Sequence, residues 1–478
     1  MPVETVIEEL RSIVGAAHCI TEAERLEPYV TEIRGLFRGE AAAVLRPGST
    51  EEVAFVVRYC AGNGLPMVPL GGNTGQCGGG VPRGGPQTVV ISTERLNRVR
   101  RVDEDEHVIV AEAGCILADA QEAAAKANLL FPLSLASEGS CRIGGNLSTN
   151  AGGINVLRYG NARDLVLGLE VVMPDGRIWN GLRSLRKDNT GYALKHLFVG
   201  AEGTLGIITA AALKLFPAQH DISTAFVALD DPAEAIRLLR MARRRTDDSA
   251  TAFELLPRIA LDIGFRNLGH ATDPFGESYP WYALVEIACH LADARMETFL
   301  SEALESGLAR DAVIARSGAQ RQALWRLREV AAGGHQFHEG ALVKHDIALP
   351  IGAIPSMIER GTREAEKVVP GTRVIAFGHA GDGNLHFNLV QPVGYDADAF
   401  RSRTVEFNQV IHDLVDELGG SISAEHGIGL LKIDEMARYK PPLEIELMRR
   451  IKDALDPEGL MNPGKLFATG LKPDGETH

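Results

Sequence analysis

The sequence predicts an α+β protein of two domains, and three observations carry that expectation. At 478 residues the chain is longer than a single hydrophobic core usually serves. In roughly the first 218 residues, short apolar strands are punctuated by three glycine-rich loops. Beyond Pro217 the pattern changes to strands alternating with longer amphipathic helices, which reads as an α+β unit with a mostly antiparallel sheet.

The opening stretch MPVETVIEELRSIVG reads as an acidic amphipathic helix. AAAVL at 41–45 is a short strand ended by Pro47, and Ser49 with Glu52 forms a capping-box pattern before a helix over 51–61. A strand at 65–70 runs into GGNTGQCGGGVPRGG, 71–85, which is too rich in glycine for regular structure. Strands follow at 88–91 and 107–112, then an alanine-rich helix at 117–128. A second glycine-rich segment spans 139–153. Pro174-Asp175-Gly176 marks the turn of a hairpin within 168–179. GAEGTLGIIT, 200–209, is the third glycine-rich element, and a strand covers 210–216.

In the second half, strands are expected at 224–229, 282–289, 311–315, 342–349, 373–378 and 385–390. Helices are expected at 232–244, 292–306, 320–332 and 353–368, and the last segment reads as helical up to NPGK, 462–465. The resulting domain boundaries are 1–218 for a ligand-binding domain, 219–430 for a second α+β domain, and 431–478 for a helical segment returning to the first.

Composition is that of an ordinary globular protein, with 45% hydrophobic and 23% charged residues. A net charge of −14 without a long basic block argues against a nucleic-acid or anionic-membrane surface. The six cysteines are scattered with no C-x-x-C pair, so neither a zinc knuckle nor an iron–sulfur site is indicated, and a reducing, cytoplasmic setting is expected. The N-terminus lacks the basic start and apolar core of a secretion signal, and no apolar run approaches the roughly 20 residues needed to span a bilayer.

The glycine loops carry the first chemical expectation. Glycine admits positive φ and lets backbone N–H groups approach an anion, so PLGGNTGQCGGG, 69–80, is a candidate pyrophosphate cradle. It matches neither G-x-G-x-x-G nor the phosphate-loop pattern, and on its own a glycine-rich surface turn explains it equally well. Three such loops in one domain are unlike a set of ordinary turns.

The second expectation comes from FGHAGDGNLHFN, 377–388, and SAEHGIG, 423–429. A hairpin turning at Gly381-Asp382-Gly383 would bring His379 and His386 together, with Asn388 on the same strand face as His386. With Glu425 they form a two-imidazole, one-carboxylate set that suits a divalent metal with an open position, zinc first. A lone histidine is more often a hydrogen-bonded structural residue, and Asp382 reads as a turn residue. His335, His338 and His345 are secondary candidates whose spacing fits no metal motif.

PLGGNTG, IGGNLSTNAGG, RYGNARD, GLEVVMPDG and VGAEGTLGIIT together resemble the FAD-binding domain of the vanillyl-alcohol oxidase-type flavoproteins. GHAGDGNLH, SAEHGIG and the closing NPGK resemble the D-2-hydroxyacid dehydrogenase branch. That branch includes D-2-hydroxyglutarate dehydrogenase, D-lactate dehydrogenase and the flavin subunit of glycolate oxidase. The likeness runs from about residue 45 to 467.

The resemblance implies a two-subdomain FAD-binding domain plus an α+β cap domain, and an enzyme that oxidises a D-2-hydroxy acid with FAD and a divalent metal. It places the pyrophosphate on Gly71, Gly72, Asn73, Thr74 and Gly75, beside Pro69. Ser140, Gly144, Gly145, Asn146, Thr149, Gly203, Ile208 and Asn462 fall around the rest of the cofactor. Some relatives attach FAD through a histidine in the first loop; Asn73 stands there, which implies noncovalent FAD. His426 is the implied base, and Arg328 and Lys344, with Asn388, the implied substrate ligands. A solvated helix face is the alternative for Arg328, with Arg326 beside it for comparison. Ala332 stands where D-2-hydroxyglutarate dehydrogenase has a threonine one turn after the arginine, a departure that bears on glutarate specificity. The implied electron acceptor is an electron-transfer flavoprotein, quinone or cytochrome, and a homodimer is the default assembly. The alternative readings are the flavin subunit of a glycolate oxidase-like complex and a flavin-dependent alkyl transferase resembling alkylglycerone-phosphate synthase. That family carries a histidine run where Ala424-Glu425-His426 stands here, so Glu425 favours the dehydrogenase.

Overall fold

A computed structural model describes residues 3–269, 271–336 and 338–467. The chain divides into two compact units. The first contains described residues 3–152, 160–218 and 425–467; the second contains 153–159 and 219–424 apart from residues 270 and 337. Among the described residues no helix is long and apolar enough to cross a membrane.

The first unit holds two main sheets and a two-stranded pair, Leu129–Leu130 with Phe216–Pro217. In the smaller main sheet, Ala43–Leu45 and Met67–Leu70 both run parallel to the central strand Val89–Ser92, and Cys19–Ile20 forms an antiparallel edge. Helix Thr50–Gly62 starts where expected: Ser49 Oγ accepts the Glu52 N–H at 3.2 Å, and Glu52 reaches back to accept the Gly48 N–H at 2.7 Å. Its apolar face, Val53, Val56, Val57 and Cys60, closes the core under this sheet. The chain's end joins here too. Met67 N–H donates to Leu460 O at 2.8 Å and Asn462 N–H to Met67 O at 2.7 Å, so the NPGK segment lies alongside a cofactor-loop strand.

The larger sheet is antiparallel, ordered Val99–Asp103, Val108–Glu112, Ile207–Lys214, Val166–Val172, Ile178–Gly181. Val99–Asp103 is a strand that sequence reading passed over, because its three exposed or half-exposed charged positions break the apolar run. A buried carboxylate joins this sheet to the helix of the smaller one. Glu170 accepts from Thr50 Oγ1 at 2.7 Å, Thr209 Oγ1 at 2.9 Å and Arg100 at 3.0 Å. Burial would raise its pKa, but these partners hold it below the ordinary range.

The second unit is antiparallel throughout its two sheets. Four strands are ordered Ala250–Pro257, Trp281–Ala288, Ile222–Leu229, Asp311–Ile314. Three more are ordered Leu342–Ala348, Asn384–Val390, Arg373–Phe377. A two-way bridge stitches the sheets together, Leu255 N–H to Gly378 O at 2.9 Å and Gly378 N–H to Leu255 O at 3.0 Å. Helices Arg258–Leu268 and Gly318–Gly333 pack Leu261, Leu324 and Leu327 against Phe226, Tyr282, Ile375 and Phe377. The strand Ala250–Pro257 and the helix Arg258–Leu268 are absent from the elements read in the sequence. The strand is buried at every position, so it has no polar alternation to reveal it.

Phe226 is fully buried and stacks on Tyr282 at 5.1 Å and Phe275 at 5.9 Å between ring centroids. Phe226→Ala is expected to cost about 3–5 kcal/mol. The check is a lower chemical-denaturation midpoint reported by the signal of buried Tyr282 and the half-buried Trp281 and Trp325; an unshifted midpoint would refute this account of the core.

Candidate functional site

Within the first unit the three glycine-rich segments line one cleft. Pro69, Gly71, Gly72, Asn73, Thr74 and Gly75 form one wall. Gly144, Gly145, Asn146 and Thr149 form another, with Gly203 and Ile208 between them. Steric need explains two of the glycines. A Cβ on Gly72 would lie 2.4 Å from Ser140 O, and one on Gly144 would lie 2.7 Å from Ala113 Cβ. Gly75 and Gly145 instead have no heavy atom within 4 Å of such a Cβ, so bare backbone faces open space there. The segment 139–153 is less irregular than its glycines suggest, since Ile143–Ser148 is helical.

Two of the sequence-derived residues lie outside the lining. Ser140 is exposed and its hydroxyl donates to Ser137 O at 3.2 Å, while its carbonyl backs Gly72. Asn462 is buried behind the wall, its amide donating to Gly79 O at 3.1 Å and Glu202 O at 2.7 Å. Asn73, at φ 53°, lines the cleft with its backbone while its side chain donates to Pro28 O and Thr31 O, both at 2.9 Å. A strip of glycine backbone along such a groove suits a phosphate-containing cofactor.

Glu32, Arg142 and Glu202 also line the cleft, and the sequence reading assigned none of them a role. Glu202 accepts the backbone N–H groups of Ile428 at 2.7 Å and Gly429 at 2.8 Å. Burial raises its pKa against the pull of those donors. His426 lines the same cleft, its Nε2 lying 3.5 Å from Gln76 Nε2. The loop that Glu202 grips is therefore the one that carries His426.

Within the second unit, one face of the three-stranded sheet gathers most of the remaining candidates. Directly paired residues share a face, so Phe377, His386 and Asp346 lie abreast, as do Ile375, Asn388 and Lys344. The hairpin at 378–383 brings the rings of His379 and His386 to 5.7 Å between centroids. Asp382 accepts the Asn384 N–H at 3.1 Å and acts as a turn residue. Each imidazole has a carboxylate at Nδ1: Glu254 at 2.6 Å for His379, Asp346 at 3.7 Å for His386. At 2.6 Å the Glu254 carboxylate accepts the Nδ1 hydrogen of His379, so a neutral His379 carries its lone pair on Nε2, the arrangement that metal-binding histidines commonly use, whereas Asp346 at 3.7 Å is an electrostatic neighbour of His386 Nδ1 beyond hydrogen-bond reach. The donor chemistry therefore fits a divalent cation.

Glu254 is fully buried and also accepts from Arg328 Nε at 2.7 Å. Burial would raise its pKa, but His379 and Arg328 outweigh that and bring it down to about 2. Arg328 lies with its guanidinium 5.1 Å over the Phe377 ring, and among the described residues no hydrogen bond engages its Nη groups. Arg326, by contrast, is exposed. Lys344 is exposed on the same sheet face.

Asn388 is buried and donates to His335 Nε2 at 2.8 Å. Burial lowers the His335 pKa to about 4, which keeps it a neutral acceptor. His345 points to the opposite face, bonding Phe387 O at 3.0 Å and Asn408 Oδ1 at 3.1 Å, and His338 is exposed at φ 60°. Glu254 and Asp346 were missed by sequence reading. The available signal was a lone acid inside an otherwise apolar strand, AFELLP and HDIAL, which indicates a paired buried charge.

Comparison with known proteins agrees with both halves. Residues 41–181 match the family model "FAD binding domain", and residues 218–466 match "FAD linked oxidases, C-terminal domain". The chain is 37% identical over 455 residues to the mitochondrial D-2-hydroxyglutarate dehydrogenase of Bos taurus, covering 94% of this chain and 81% of that one. It is 34% identical to the D-2-hydroxyglutarate dehydrogenase of Stutzerimonas stutzeri, covering 97% and 99%. Among solved structures it shares the fold of p-cresol methylhydroxylase, with a TM-score of 0.75 at 16% identity over 98% of both chains. It also shares that of alkyldihydroxyacetonephosphate synthase, with a TM-score of 0.73 at 17% identity, covering 96% of this chain and 84% of that one. The chain belongs to the FAD-linked oxidase family, a family of FAD-dependent oxidoreductases with the vanillyl-alcohol oxidase-type fold, and within it to the group of the D-2-hydroxyglutarate dehydrogenases.

Proposed function

We propose that the protein is an FAD-dependent dehydrogenase that oxidises a D-2-hydroxy acid to the 2-oxo acid. The observation that carries this reading is the sheet face of the second unit. An arginine with an uncommitted Nη fork stands there beside two carboxylate-backed imidazoles, a set suited to a small anion with a neighbouring hydroxyl. The named activity of relatives at 34–37% identity supports the substrate class. FAD, noncovalently held because Asn73 replaces the attaching histidine of some relatives, would rest on the glycine loops and supply the acceptor for the C2 hydrogen with its electron pair. His379, His386 and Glu425 would hold a divalent cation, zinc first, whose chemistry is to acidify and orient an alcohol. Chain continuity favours including Glu425: its neighbour Ala424 donates its N–H to Asp346 O at 3.2 Å, on the strand beside His386.

The protein's own groups then divide the work. Arg328 grips the substrate carboxylate through its Nη fork, and Lys344 adds a second positive charge. Asn388, held by His335, offers polar contact on the same face. His426 takes the hydroxyl proton as C2 loses its hydrogen, and the carbon–oxygen double bond forms. The substrate's far end stays within a class of D-2-hydroxyglutarate, D-lactate and D-malate, since Ala332 removes a hydroxyl expected for glutarate.

The deciding experiment is anaerobic bleaching of the bound flavin by both enantiomers of lactate, malate and 2-hydroxyglutarate. D-enantiomers should bleach it; a flavin that stays yellow with all of them would sink the reading. His426→Ala should slow that reduction about 10²–10⁴-fold while FAD content is kept; wild-type rates would remove His426 as the base. Exhaustive chelation should abolish bleaching without releasing FAD, and added Zn²⁺ should restore it. Arg328→Ala should raise KM about 10- to 100-fold through loss of a charge-assisted contact, with Arg326→Ala unchanged; equal effects at both positions would contradict the assignment of Arg328.

A further inference from the structure

We propose that Glu254 is a positioning residue that sets the tautomer of His379 and aims the Arg328 guanidinium, with one carboxylate serving both. The proposal rests on the function given above.

Geometry gives the carboxylate no freedom. Glu254 is fully buried, with Oε1 at 2.6 Å from His379 Nδ1 and Oε2 at 2.7 Å from Arg328 Nε. The backbone holds the partners in register. The Leu255–Gly378 bridge and the Gly381 N–H to Phe253 O bond at 3.1 Å clamp the turn carrying His379 on both sides of Glu254. An ionised carboxylate only accepts, so His379 must donate from Nδ1, and in its neutral form it keeps its lone pair on Nε2. The same carboxylate fixes one edge of a guanidinium whose face is packed over Phe377, which leaves the Nη fork to meet an anion. Position 254 thus decides whether His379 can be a ligand and where Arg328 points, without itself reaching the substrate.

A neutral isostere separates this role from simple structural support. In Glu254→Gln the amide has one accepting and one donating end. Arg328 can never accept, so the amide oxygen must face Arg328 and its NH₂ must face His379. His379 Nδ1 then becomes an acceptor and the hydrogen moves to Nε2, where a cation would bind. Packing and the Arg328 contact are preserved, and the tautomer is inverted.

The test uses the full-length holoprotein labelled with ¹⁵N-histidine and stripped of metal by chelation. Imidazole ¹⁵N spectra should show His379, assigned by its loss in His379→Gln, as the Nδ1–H form in wild type and the Nε2–H form in Glu254→Gln. Calorimetric titration with Co²⁺ should show about a 10- to 100-fold loss of affinity in the variant, while FAD content holds and KM for the best D-2-hydroxy acid moves far less than in Arg328→Ala. An unchanged tautomer and Co²⁺ affinity in Glu254→Gln would overturn the proposal. If Glu254→Gln does not keep FAD, Glu254→Asp is read instead. It keeps the accepting charge but withdraws it by one methylene, so the Nδ1–H form should persist with weakened Co²⁺ affinity, and wild-type affinity would overturn the proposal. A wild type that binds no Co²⁺ and is bleached by no hydroxy acid defeats the functional reading, while the tautomer comparison still judges Glu254.

Discussion

A carboxylate removed from water is costly unless charged donors replace its lost hydration, and Glu254 lies wholly inside the second unit. Two donors, an imidazole and a guanidinium, take that place, and each comes from a separate element: His379 from the hairpin turn, Arg328 from helix Gly318–Gly333. The pairing therefore locks a strand, a turn and a helix together at one point. Removing either donor would leave an uncompensated buried charge, so the arrangement is stable only when complete. The positions of both proposed ligand-binding side chains are consequences of satisfying that single buried charge.

The same logic recurs in the first unit with different chemistry. Glu202 has no guanidinium; it is satisfied by the backbone N–H groups of Ile428 and Gly429, next to His426. Glu170 is satisfied by two threonine hydroxyls and Arg100, and ties helix to sheet. In each case an interior acid makes a loop or an element adopt one position. Glycine does complementary work around the cleft. At Gly72 and Gly144 a side chain would collide with a neighbouring segment, so the walls approach closely enough to form a groove. At Gly75 and Gly145 the absence of a side chain leaves backbone facing open space.

Membership of the FAD-linked oxidase family gives the glycine groove its cofactor, and the sheet face gives the proposed substrate site its charge logic. Redox chemistry resides in the cofactor; what the chain contributes is placement. One imidazole has its Nδ1 hydrogen held by a buried carboxylate and a second has a carboxylate nearby, an arginine has its fork left open, and a histidine sits on a loop held by a buried glutamate.

Local signals determined much of this in advance. The glycine-rich loops, the Ser49 cap, the Pro174–Gly176 hairpin turn and the turn between His379 and His386 all follow from short-range rules of backbone conformation and strand alternation. Alternation also separates His386 and Asn388 from His345, because neighbouring strand residues face opposite sides. The sequence did not reveal Glu254 as a partner of His379, 125 residues away, nor of Arg328, 74 residues away. It also did not reveal the strand Ala250–Pro257, whose uniform burial erases the pattern that marks strands. Nor did it predict that Asn462 would brace the wall of the cleft rather than line it. Sequence by itself fixes which groups are present and which way neighbouring side chains alternate. Only the tertiary structure decides which distant charge each of them must neutralise, because a buried charge is satisfied by whatever packing brings beside it.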